Sequence, residues 1–276
     1  MDAESFLKEN LLVGTLCEGA TRVSGGQHPM WKGFVNLGHS EVEAYVKKCA
    51  DDSALLIEVI SALIGIVFGL PIPRPIIIKI LPDHPEIPVP QTTYIFGSEA
   101  QNCPNFARFL SNYKQSEKII LNYKELHKII SFDELLANPD RNNNNILYDG
   151  ENYFFIDHEY CLHDRQNPKS EIMDSAFKTG NLSDVYRFHA SHNDVEVEKT
   201  LRKIRKYVAE NIDKKAEIAF KVLEQVPIHT NTYKAKVEFT KTFLLERLPC
   251  LETLIKSSLS QNILDSESQL SLIGNL

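Results

Sequence analysis

The chain has 276 residues, 43% of them hydrophobic and 24% charged, which suits one large folded domain or two lobes sharing a cleft. A formal net charge of −7 speaks against a protein devoted to nucleic acid, because phosphate backbones reward excess Lys and Arg. Five scattered cysteines (Cys17, Cys49, Cys103, Cys161 and Cys250) form no CxxC pair, a pattern that fits reduced thiols in a cytoplasmic setting better than a disulfide framework or a zinc site.

The opening "MDAESFLKEN" lacks the charged-then-apolar pattern of a secretory signal. "EGATRVSGGQHP" (18–29) reads as a polar turn region, and "EVEAYVKKC" (41–49) alternates as a strand, with Val42, Ala44 and Val46 on one face. Asp51, Asp52 and Ser53 offer N-cap oxygens for a helix from about Ala54 to Phe68, which Gly69, Pro71 and Pro73 terminate. The apolar run 54–72 falls short of the ~20 residues of a bilayer span and carries Glu58, so it reads as a buried core helix and no membrane span is expected.

"RPIIIKIL" (74–81) is strand-like, a proline-spaced loop follows, and "TTYIFG" reads as a short strand leading to a hinge near Gly97. Beyond Ser98 the pattern becomes helical: "ELHKIISFDELLA" (125–137), then the amphipathic segments "EVEKTLRKIRKYVAE", "KKAEIAFKVLEQV" and "AKVEFTKTFLLERL". The expected division is a lobe over 1–97, a helical lobe over 98–258 and a weakly structured tail over 259–276. The HxxH of His189 and His192, and the grouping of His158, Cys161 and His163, lack zinc-site spacing. The basic run "KTLRKIRK" (199–206) reads as the solvated face of a helix.

The chemistry concentrates in "NPDRNNNNILYDGENYFFIDHE" (138–159). Phosphoryl transfer requires a carboxylate to orient or deprotonate the nucleophile, and hard oxygen ligands for magnesium. Asp140 can be the first group, and Asn145 and Asp157 the metal pair. A hairpin turning at Asp149-Gly150 would return Asp157 close to Asn145. The competing reading is a polar connection in which the asparagines serve only as turn residues. A kinase also needs a lysine on a central strand paired with a helix glutamate. Glu58 is the only charge between Ala54 and Leu70 and so calls for a cationic partner, unless it faces solvent in the first helical turn. Lys47 and Lys48 are the candidates, and strict alternation puts Lys48 on the apolar face.

"FDELLANPDRNNNNILYDGENYFFIDHEYC" resembles the catalytic segment of the HipA-like kinases, a skeleton shared with phosphatidylinositol kinases and small-molecule kinases of the aminoglycoside type. The resemblance covers about residues 10–255. It implies an α+β, two-lobed, protein-kinase-like fold, with a small β-rich N-terminal lobe carrying one long helix and a mostly helical C-terminal lobe. By the same resemblance Asp140 is the catalytic base, Asn145 and Asp157 bind magnesium, Arg141 braces the loop, and "YVK" followed by "GLPIP" makes Lys47 the partner of Glu58. Asn142 stands where related loops often carry His, and Asp-His-Glu replaces the Asp-Phe-Gly of ordinary protein kinases. Ser24, Gly25 and Gly26 resemble a phosphate loop, with Ser24 a site of self-modification, and the backbone at Tyr94 to Phe96 would meet adenine. The implied activity is ATP- and magnesium-dependent phosphorylation of a protein Ser or Thr, the chain itself included. The rivals are a small-molecule or lipid-head-group kinase, and a nucleotide-binding pseudokinase acting through a partner. An antitoxin-like or regulatory protein partner belongs to the same implication.

Overall fold

The computed structural model describes residues 2–24, 28–172 and 194–260. Helix α1 (Ala3–Asn10) opens the chain, capped by the Asp2 carboxylate accepting from the Ser5 N–H. It buries Phe6 and Leu7 against a helix near the other end of the sequence. Strands β1 (Leu12–Leu16), β2 (Thr21–Val23), β3 (Met30–Asn36) and β4 (Glu41–Lys47) follow. Next come α2 (Asp52–Val67), β5 (Pro75–Ile80) and β6 (Thr93–Glu99).

The sheet order is β1-β5-β6-β4-β3-β2, and β1 also pairs with β3, so five strands close into a barrel. Its interior is filled by Val35, Ala44, Val46, Ile76, Ile78, Ile80 and Ile95, with Ile87 of the proline-spaced loop packed on them. Residues of the opposite parity, Ile77 and Phe96, join α2 in a second core. Alternation thus sorts β-branched side chains between two distinct apolar environments. Gly97 lies within β6, opposite Val46 on one side and Ile76 on the other. A Cβ at this position would meet Ile78 Cδ1 at 2.2 Å.

α2 is the apolar helix anticipated from the sequence, starting two residues earlier than the pattern suggested because Asp51 caps it by accepting from the Ala54 N–H. It is apolar on nearly every face because it is enclosed, resting on β5 and β6 on one side and on the C-terminal helices on the other.

The second half contains α3 (Phe106–Tyr113), a 3-10 turn (Glu117–Asn122), α4 (Leu126–Leu135) and the hairpin β7 (Ile146–Tyr148) with β8 (Tyr153–Phe155). α5 (Asp194–Tyr207), a π-helical turn (Val208–Ile212), α6 (Asp213–Glu224), α7 (Asn231–Arg247) and α8 (Leu251–Ser260) complete it. The helix covered by α1 is α6. The basic run lies on α5 with Leu201 and Ile204 buried, and its Arg202 and Arg205 bind Glu198. All five cysteines are free thiols. Among the described residues no helix is long and apolar enough to cross a membrane. His189, His192 and residues 261–276 lie outside the described residues.

Candidate functional site

The hairpin does form, but over a four-residue connection rather than two. Tyr148 pairs with Tyr153, and the Asp149 carboxylate accepts from the N–H groups of Glu151 and Asn152 while Gly150 adopts φ +108°. An aspartate bonding the backbone two and three residues ahead stabilises this longer turn.

Arg141, fully buried, holds the hairpin to the helix before it. Its Nε and Nη2 donate to Asp133 of α4 at 3.0–3.2 Å. Its Nη1 donates to the carbonyls of Asn145 (3.0 Å) and Ile156 (2.6 Å), one at each end of the hairpin. A buried guanidinium is tolerable only with a carboxylate and carbonyls around it, so its location fixes theirs. Asn138, also fully buried, donates to Asp133 and accepts from the Asp140 N–H.

These constraints define the surroundings of Asp140. Its Oδ1 accepts from Asn142 Nδ2 at 2.8 Å and its Oδ2 from Asn145 Nδ2 at 2.9 Å. Asn142 therefore supplies an internal bond of the loop, and its own Oδ1 accepts from the Asn144 N–H. Asn145 Nδ2 also donates to the Asp140 carbonyl, so Oδ1 is the atom it has to offer a metal. Asn143 donates to Glu117, and Asn144 accepts from Asn105. Each asparagine of the run has its own task.

Lys47 ends β4 on the outer face of the barrel, facing α2. Its Nζ lies 2.8 Å from Glu58 Oε1, 2.6 Å from Asp157 Oδ1 and 2.9 Å from Glu159 Oε2. The apolar face of β4 fills the closed interior, where no carboxylate could follow a lysine. Lys48 lies past the strand, with its N–H bonded to the Pro29 carbonyl. Glu58 is 1% exposed, and its Oε2 accepts from the His158 N–H at 2.8 Å. Burial pushes Glu58 up to about 7 against the pull of Lys47, with the Asp157 charge adding to the rise. Burial works to lower Lys47, yet the charges of Glu58, Asp157 and Glu159 outweigh it and hold the ammonium well above its ordinary value. His158 lies edge-on to Phe132, and burial together with the Arg141 and Lys47 charges keeps it well below its usual range.

Asp157 has φ +62°, a left-handed backbone that a non-glycine residue adopts only where its surroundings impose it. The Arg141 bond to the Ile156 carbonyl and the Glu58 bond to the His158 N–H impose it here from both flanks. Carboxylate oxygens of Glu58, Asp157 and Glu159 lie within 4.8 Å of one another. The Lys47 ammonium sits against all three, so of this group only the partly exposed Asp157, with the Asn145 oxygen, is left to offer hard oxygen ligands to a cation such as magnesium.

Ser24 is exposed just beyond β2, and Gly25 and Gly26 lie outside the described residues. Tyr94 and Phe96 sit inside β6, with Phe96 paired to both Lys47 and Ile77. Tyr94 is paired on the β5 side alone, since the β4 pairing begins at Phe96, and the strand ends at Glu99. Sequence reasoning missed Asp133 and Glu159. Asp133 lies in a helix whose Ile129, Ile130, Phe132 and Leu135 are all buried, a composition that already demands a cationic partner. Glu159 stands two residues past Asp157, and no spacing rule singled it out.

The sequence profile of the HipA-like kinases matches residues 26–235. No curated protein matches significantly. Among solved structures, the chain is similar to the proinflammatory kinase CtkA of Helicobacter pylori, with TM-score 0.52, 13% identity, and 87% of this chain and 97% of that one covered. HipA of Shewanella oneidensis MR-1, in its complex with HipB and operator DNA, gives 0.48 at 12% identity over 95% of this chain and 74% of that one. The PAN3 pseudokinase of Neurospora crassa gives 0.37 at 11% identity, with 94% and 67% covered. The likeness to CtkA supports a kinase-type fold, and the profile match extends from just before β3 into α7, across every residue of the Lys47 and Asp140 clusters. By that match, this chain belongs to the HipA-like kinase family.

Proposed function

We propose that the chain is an ATP- and magnesium-dependent kinase that transfers the γ-phosphate to a protein Ser or Thr. The nucleotide lies in a cleft between an N-terminal lobe (1–97) and a helical lobe (98–258). The observation that carries this reading is the convergence of Lys47, Glu58 and Asp157, from three separate elements, within 2.8 Å of one ammonium, beside the Asp140–Asn145 pair. Lys47, oriented by Glu58, binds the nucleotide phosphates, while Asn145 and Asp157 hold the metal. Magnesium bound there neutralises phosphate charge. Asp140, steadied by Asn142 and Asn145, orients the attacking hydroxyl and receives its proton. The backbone at Tyr94 to Phe96 meets the adenine.

A regulatory protein partner belongs to the same reading. The retained base and metal residues argue against the pseudokinase alternative, because binding alone requires no Asp140. The test is incubation of the full chain with γ-labelled ATP and magnesium, alone and with cell lysate, beside Asp140→Asn. Label on protein seryl or threonyl residues that disappears with the variant is the expected result. Label confined to small molecules or lipid reassigns the substrate, and ATP binding without transfer in any arm makes the chain a pseudokinase.

A further inference from the structure

Glu159 is enclosed to an unusual degree, with its side chain 4% exposed. Its Oε2 lies 2.9 Å from Lys47 Nζ, and its Oε1 lies 2.9 Å from His28 Nε2. The Tyr160 hydroxyl is a further hydrogen-bond partner. A carboxylate withdrawn this far from water is retained only where donors surround it. His28 is fixed independently. The Pro29 carbonyl accepts from the Lys48 N–H at 3.0 Å, and Met30 pairs with Lys47 across the β3–β4 ladder. Residues 28–30 are thus joined to 47–48 by backbone on one side and to Glu159 by a side chain on the other.

In the reading above, Asp157 has two demands on it, since it contacts Lys47 and is also assigned to the metal. An ammonium and a divalent cation on one carboxylate repel each other, so the lysine needs another anchor once Asp157 turns to the ion. Glu58 is one, and it is already shared with the His158 N–H. We propose that Glu159 is a positioning residue for Lys47, oriented by His28, and that it holds the ammonium in place when Asp157 is drawn to the metal.

This inference rests on the kinase reading, and its test separates the two. In the ligand-free protein, Glu159→Gln and His28→Asn are each expected to speed hydrogen exchange at the Lys48 amide. In the transfer assay, Glu159→Gln raises KM for ATP about tenfold with a smaller change in kcat, Glu159→Asp recovers part of it, and His28→Asn has a milder effect in the same direction. Because His28 acts through Glu159, the double variant is no worse than Glu159→Gln alone. Wild-type exchange and KM in Glu159→Gln overturn the proposal, as does a lowered melting temperature with KM unchanged, which marks a structural role only. Additive single effects remove His28 as its partner. If the wild-type chain neither binds ATP nor transfers phosphate, the kinase reading fails and this inference falls with it.

Discussion

At Asp140 the two carboxylate oxygens accept from two different asparagine amides, so Asp140→Asn keeps one acceptor and loses the base. Transfer is expected to fall ~10²–10⁴-fold with ATP affinity nearly intact, whereas Asp157→Asn weakens magnesium-dependent ATP binding as well. Calorimetry beside the transfer assay separates the two, and wild-type turnover in Asp140→Asn would sink the catalytic assignment. Asn145→Ala removes both bonds to Asp140 and Asn144→Ala only a 3.3 Å contact with Asn105, so equal activities would reduce the run to a turn. Lys47→Met is expected to abolish transfer and Lys48→Met to spare it. Lys47→Met should also shift the Glu58 carboxyl, whose midpoint near 7 rises further once the cation is gone; carbon-detected NMR titration reads this directly. Since the folded carboxyl titrates above its ordinary value of 4.5, its contribution to stability is fully present below about pH 4.5 and is lost as pH rises through about 7.

Among the elements, the join between α4 and the hairpin centres on the Arg141 guanidinium, with Asn138 and shared core packing beside it. Asp133→Ala strands Arg141 in the interior and is expected to cost ~3–5 kcal/mol, visible as a lower midpoint in urea; an unchanged midpoint would show that the carbonyls alone suffice. How far such elements were legible depended on whether their signal was local. α2 and the hairpin were readable because the Asp51 cap, the apolar run and Asp149-Gly150 lie within a few residues of one another. The Lys47–Glu58 pairing followed from one charge on an apolar helix, but choosing Lys47 over Lys48 required knowing that the apolar face of β4 turns into a barrel. That closure rests on β1 meeting β3 and β5, pairings between distant segments that no periodicity records. The close packing of Ile78 on Gly97 has the same origin, since it joins two strands whose pairing no local pattern records. α1 went unread although Asp2 and Ser5 form a recognisable cap, because its apolar stripe is short and its partner, α6, lies some two hundred residues away.

Over the whole molecule, one continuous core runs from α1 and α2 through α4 to α5–α8, and a second fills the barrel. α2 belongs to both halves, so Leu63→Ala, at a fully buried position, is expected to cost 2–5 kcal/mol in a single transition seen alike by strand and helix probes. Two separated transitions would show that the halves unfold independently. Magnesium-ATP should raise the melting temperature, since ligand at a hundred times its Kd adds about 2.7 kcal/mol; no shift in a folded sample counts against the nucleotide site. The barrel also sets limits on company. β3 is flanked by β4 along one side and by β1 and β2 along the other, so within the six-stranded sheet only the three-residue β2 stands at an end outside the closed ring. A partner therefore has almost no backbone on which to lay a strand of its own. Whatever docks with this half of the protein must read side chains and loops, and its specificity is open to change one surface residue at a time.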